Sequence, residues 1–278
     1  TMKRKLWTLL LALGAALALC VGASAETVEN DFYAALQATN GSIKLENDFV
    51  YEKAMEVNHN LTIDLNGYVL TIPKSICVNS GAHLTIKDSN STVPHNFEPN
   101  ADGLWGLNEN GTKSVTGGVI TGGTGTDLST YGGTTWYCGG GALIKNGGSL
   151  TMRGGNIIGC SAECGGGVCV DSGRNGEPGQ FSMSGGSIIG CVASNSGGGV
   201  FASGKFQMSG PAVIRSCTVE STIQLICGGG VYVNGSSSFE MSGDAKIEGC
   251  QAISTPSSPS KGGGVHLANN TEFTLSGS

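Results

Sequence analysis

The sequence is poor in charge, rings and proline: of 278 residues, 13% are charged, 6% are aromatic and seven are prolines. Few runs favour a helix. That scarcity excludes a helical protein and a highly charged disordered one alike. Beyond residue 25 no stretch reaches the ~20 apolar residues of a membrane helix. No basic patch is present, so nucleic acid is not an expected partner. What abounds is glycine, 47 residues, which suggests many short strands joined by tight turns.

The first 25 residues read as a secretory signal. Lys3, Arg4 and Lys5 form a basic start, Leu6 to Leu19 an apolar run, and Ala23-Ser24-Ala25 a small-residue cleavage site before Glu26. Leu19 is bulky where a lipoprotein signal ending at Cys20 needs a small residue, so cleavage after Ala25 is expected. The n-region has a bacterial look. The expectation is an exported protein, secreted or held at the cell surface. Removing residues 1–25 takes three of the 15 basic and none of the 21 acidic residues, which leaves a formal charge of −9. Thr1 precedes Met2, and F-T-L-S-G-S from Phe273 breaks off mid-unit, so the chain reads as part of something longer that continues toward an anchor.

A repeat organises the remainder. Glycine triplets begin at Gly139, Gly165, Gly197, Gly228 and Gly262, spaced 26, 32, 31 and 34 apart. Four are followed by Val and the first by Ala. A second block follows the first four of them, as in L-T-M-R-G-G-N-I-I-G-C from Leu150 and F-S-M-S-G-G-S-I-I-G-C from Phe181. Within each copy the period is two. Leu150, Phe181, Phe206, Phe239 and Phe273 share one position, and Met152, Met183, Met208, Met241 and Leu275 the next but one. Thr151, Ser182, Gln207, Glu240 and Thr274 lie between them, which is the alternation of a strand buried on one face. Ile157, Ile188, Ile214 and Ile247 mark a further short strand. Three strands per unit of ~30 residues predict the coils of a parallel β-solenoid, stacked at ~4.8 Å with the triplets at corners.

The stretch G-C-S-A-E-C-G-G-G-V-C-V, residues 159–170, resolves into that repeat. Cys160 belongs to a column with Cys191, Cys217 and Cys250; Cys164 stands before a triplet, with Cys138, Cys227, Ser196 and Lys261. Both are expected to be structural columns of small apolar residues. Cys169 is alone at an outward position. A metal site wants four Cys or His ligands at compact spacing, and none of the four histidines is near, so no metal and no cofactor are expected. Disulfides stay open. Export permits them, stacked coils bring Cα atoms into bridging range, and nine cysteines after residue 25 leave at least one unpaired within the chain.

G-G-G-V followed some twenty residues later by I-x-G-C-x-A resembles the polymorphic outer-membrane-protein and adhesin-like repeats of bacteria. Those repeats pair a Gly-Gly-small-aliphatic motif with Phe-x-x-Asn. Here Ile157, Ile188, Ile214 and Ile247 take the Phe place, and Cys160, Cys191, Cys217 and Cys250 the Asn place. The wider class it resembles is the right-handed parallel β-helix repeat of secreted bacterial proteins. The resemblance covers roughly 115–278 and, less specifically, 43–88 through L-T-I-D-L-N-G-Y-V-L-T-I and H-L-T-I-K-D-S. It implies an all-β, single-stranded right-handed parallel β-helix over 43–278 and a role in adhesion. Before it, Val28, Phe32, Ala35 and Leu36 share a face of a helix expected over 28–38, within a capping segment 26–42. A solenoid needs such a cover over its open end.

Two insertions, 89–114 and 124–137, interrupt the early coils before the regular repeats of 138–278. They carry Trp105, and Tyr131, Trp136 and Tyr137, aromatics that on loops would stack on sugars or else tuck against the sheets. The outward column Leu143, Cys169, Phe201, Tyr232 and His266 is apolar where a wet face would be polar; it is either a contact surface for a glycan or host-surface protein, or internal stacking. No paired carboxylates and no nucleophile–base pair line up, and Asp64 in D-L-N-G reads as a turn. The expectation is therefore a non-catalytic adhesin-like scaffold with no catalytic residues. The alternatives are a polysaccharide lyase or glycoside hydrolase built from the two insertions, and a passive stalk for a further domain.

Overall fold

The computed structural model describes residues 34–129, 135–172, 176–221, 226–254 and 260–277. The signal segment 1–25, Val28, Phe32 and Tyr131 lie outside them. The described chain is almost entirely β, arranged in long parallel sheets. Three sheets carry the core. A Phe–Met sheet holds eight described strands, from Asn40–Lys44 to Glu272–Ser276; an Ile sheet holds seven, from Phe49–Val50 to Lys246–Glu248; a Val sheet holds seven, from Met55–Val57 to Val265–Leu267. The chain passes through them in that fixed rotation, one strand of each per circuit, and every pairing within them is parallel.

Registers follow the repeat. Leu84, Leu150, Phe181, Phe206, Phe239 and Phe273 lie opposite one another in succession, as do Ile86, Met152, Met183, Met208, Met241 and Leu275. In the Ile sheet Leu70, Ile120, Ile157, Ile188, Ile214 and Ile247 are aligned. A parallel sheet puts identical positions directly over one another, so each inward column becomes a continuous stack. Phe181 and Phe206 are stacked at 5.0 Å between ring centroids, and Phe206 and Phe239 at 4.7 Å. The columns of all three sheets meet in one interior cluster with Cys160, Cys191 and Cys217.

The glycine triplets set the corner before the Val sheet, and each glycine answers a separate demand. Gly165 has φ +66, a left-handed value that disfavours any side chain. A Cβ on Gly166 would run into the carbonyls of Gly198 and Val192. A Cβ on Gly167 would stand 2.6 Å from Cγ2 of Ile188 and 2.7 Å from the Gly199 carbonyl. The backbone of one circuit therefore lies on that of the next, with the amides of Gly166 and Gly167 donating to Gly197 and Gly199 at 3.0 Å each.

Both insertions are sheets rather than loops. Pro94–Pro99 pairs antiparallel with Trp105–Leu107 and Lys113–Thr116. Thr126–Ser129 and Thr135–Cys138 form a hairpin that puts Leu128 opposite Trp136. Polar composition alone read these segments as loops, because a solvent-facing strand on the flank of a sheet needs few apolar residues. At the other end of the chain, residues 34–37 are helical, within the segment 26–42 expected to cap the open end. Ala35 and Leu36 are buried in the interior cluster, and Gly41 packs so closely on Ala35 that a Cβ would meet its carbonyl. Among the described residues no helix is long and apolar enough to cross a membrane.

Candidate binding surface

A fourth sheet fills the corner between the Ile and Val sheets. Cys138 of the hairpin lies opposite Cys164, Cys164 opposite Ser196, Ser196 opposite Cys227, and Cys227 opposite Lys261. On the outer face of the Val sheet, Cys77, Leu143, Cys169, Phe201, Tyr232 and His266 form the neighbouring column. The triplet turns the chain sharply enough that these two outward columns converge. Cys138, Cys164 and Cys169 meet there in one buried cluster, from either side of the turn.

One end of this corner is covered. Leu128 and Trp136 of the hairpin pack with Phe201 over Cys77, Cys138, Leu143, Cys164 and Cys169. Leu143 and Cys169 are consequently fully buried. Beyond the hairpin the column continues as a ladder of rings. Phe201 and Tyr232 lie 5.4 Å apart at 41°, and Tyr232 and His266 lie 5.4 Å apart and near parallel at 11°. All three are half-buried. Burial, then the nearby Cys227 and Cys164, pushes the Tyr232 hydroxyl above its ordinary value, and this hydroxyl donates to Oδ1 of Asn234 at 3.4 Å. Burial, then Lys261, lowers His266 below the ordinary imidazole value. Tyr137 stays 52% exposed on the hairpin, and its amide donates to the Glu163 carboxylate at 2.6 Å.

The sequence-predicted residues thus divide. Trp136, Leu143, Phe201, Tyr232 and His266 are brought together, with Tyr137 beside them on the hairpin. Trp105 is elsewhere: it is 8% exposed, packed with Phe97 and Val115 on the outer face of the Ile sheet against Val69, Val119, Ile158 and Ile189. Its amide donates to the Gly190 carbonyl at 3.0 Å, and it has no free face for a ligand. Cys77 and Leu128 were not singled out from the sequence. Cys77 precedes the regular repeats, and Leu128 lies in a polar insertion where no periodicity marks it. The cysteine columns also separate. Cys160, Cys191 and Cys217 are interior, with Cys250 at its edge, whereas Cys138 and Cys164 belong to the outer corner.

The buried Asp64 is a structural group. Its Oδ1 accepts the amides of Asn66 at 3.1 Å and Ser89 at 2.9 Å, and Lys87 lies 3.4 Å away. Burial works against its charge, but Ser89, Asn66 and Lys87 outweigh it and hold the carboxyl below the ordinary value. A depressed folded value stabilises above the unfolded one and is lost as pH falls through the folded one. Asp64→Ala is therefore expected to cost about 1–3 kcal/mol in urea melts at pH 7. The difference from wild type should shrink below pH 4 or so, as the ordinary carboxylate range is passed; a cost that does not change with pH would contradict the charged account.

Among the described residues no group of three His, Cys, Asp or Glu side chains is arranged to hold a metal ion. No family model, no curated protein and no solved structure matches the chain.

Proposed function

We propose that the chain is an exported right-handed parallel β-helix that acts without catalysis as an adhesin-like scaffold, binding glycan or a host-surface protein through the corner ladder Phe201–Tyr232–His266. The observation that carries this reading is the half-buried ring column, which continues past the point where the hairpin ends. Flat aromatic faces in a row, flanked by the exposed Lys261, suit sugar rings, which place C–H bonds on a π face and hydroxyls toward polar neighbours. The interior stack supports the same reading by making the surface rigid before a ligand arrives, which limits the ordering cost of binding. The repeat columns in register, and the resemblance of G-G-G-V and I-x-G-C to adhesin-like β-helix repeats, support the architecture.

The test is the double substitution Phe201→Ser with Tyr232→Ser, assayed on a glycan array and on cell surfaces. Each ring contact is worth about 0.5–1.5 kcal/mol, so binding should fall roughly tenfold, since 1.4 kcal/mol is a factor of ten. Unchanged binding together with a lowered melting temperature would assign the ladder to sheet stability and sink the proposal.

A further inference from the structure

We propose that Cys138 and Cys164 are joined by a disulfide that ties the hairpin 126–138 to the corner sheet, with Cys169 the thiol held in reserve beside them. The inference rests on the export reading for its oxidising surroundings, and on geometry for its choice of partners. Cys138 and Cys164 are directly opposed on neighbouring parallel strands, a placement that brings Cα atoms into the bridging range. Both are buried, in one cluster with Cys169 and Cys77 under the hairpin.

Cys160, Cys191, Cys217 and Cys250 also neighbour one another along their column, but inside the core rather than at the corner, and Cys227 is opposite Ser196 and Lys261. Cys160, Cys191, Cys217 and Cys250 each donate to the carbonyl two residues earlier, at 3.7, 3.5, 3.4 and 3.5 Å. They behave as small interior residues with a satisfied thiol. Cys77 is separated from Cys169 in its column by Leu143. Attack by Cys138 first or by Cys164 first gives the same bond.

The oxidant is a disulfide, of an exported dithiol–disulfide oxidoreductase or of oxidised glutathione. With Cys138 first, its thiolate attacks one sulfur of that disulfide and expels the other as a thiolate. Cys164, deprotonated, then attacks the Cys138 sulfur of the mixed disulfide and expels the second thiolate. Two protein thiols become one disulfide, and the oxidant leaves as two thiols. The sulfurs are covered once the hairpin is seated, so the exchange belongs to folding. The bond would fasten the one insertion that roofs the ligand-binding corner.

The full chain, refolded from urea in a buffer of reduced and oxidised glutathione, tests the site apart from any question of export. After alkylation, trypsin cuts at Lys145 and Arg153, and cleavage after Glu163 separates Cys160 from the peptide Cys164 to Arg174. The expected product is the Cys138 peptide linked to that peptide through Cys164, two hydrogens lighter than the pair of thiols. In Cys164→Ser the link should move to Cys169; in Cys169→Ser it should stay at Cys164. Ten alkylated cysteines after refolding, Cys20 included, or a Cys138 linked outside this trio, would overturn the proposal. A bond formed in glutathione, with the protein of the producing cell found inside it and reduced at these cysteines, would leave the site standing and count against export.

Discussion

Gly166→Ala should destabilise the protein by more than about 4 kcal/mol, or prevent it from folding, a cost reserved for a few mechanisms such as forced overpacking. The backbone at Gly166 is not left-handed, so the penalty comes from crowding alone: the new Cβ points into two carbonyls, those of Gly198 and Val192, neither of which belongs to a flexible side chain. Relieving the clash requires one circuit to move away from the next, which lengthens the amide–carbonyl bonds on either side at once. Gly176→Ala provides the control, because nothing lies within 4 Å of a Cβ there. It should change stability by no more than about 0.5 kcal/mol. Urea melts of the two variants measure the contrast; a Gly166→Ala protein within 1 kcal/mol or so of wild type would mean that the circuits do not approach as closely as described.

The second large effect is expected at Phe206. Its ring is fully buried between those of Phe181 and Phe239. Phe206→Ala should cost about 3–5 kcal/mol, the usual range for removing a core ring. It opens a gap in a stack that has no alternative filling, because the residues above and below are held in register by their own ladders. Phe273 occupies the same column but is 37% exposed, and Phe273→Ala should cost well under half as much, in proportion to the smaller area removed from water. Equal losses at the two positions would show that ring stacking, rather than burial, carries the energy.

The columns were legible in the sequence because a parallel repeat copies one position onto the next. Once Phe181, Phe206 and Phe239 were aligned by their glycine triplets, their register in space had no freedom left. The corner was legible only in part. Parity identified Leu143, Cys169, Phe201, Tyr232 and His266 as outward, but outward does not mean exposed. Leu143 and Cys169 are covered by Leu128 and Trp136 of a hairpin that the repeat does not encode. The same holds for Trp105: its neighbours Ile158 and Ile189 sit one residue after the inward Ile of their strands, at a position that carries Thr121, Arg215 and Glu248 in other circuits. Those second apolar residues were the available signal. A wet face should not carry Ile158 and Ile189 in succession, and the three-stranded insertion is what lies over them.

The equivalence of successive circuits has a genetic side. Homologous stretches of coding sequence that specify interchangeable units invite unequal recombination, and here the product has a defined meaning. Loss of residues 166–197 fuses Gly165 to Gly198 and restores an intact triplet before Val200. Leu150 then faces Phe206, and Ile157 faces Ile214, each a pairing of the kind already present elsewhere in its column. The gene can therefore shorten or lengthen by whole units without an intermediate that lacks a core, and alleles differing in length are the form of variation this architecture makes cheapest.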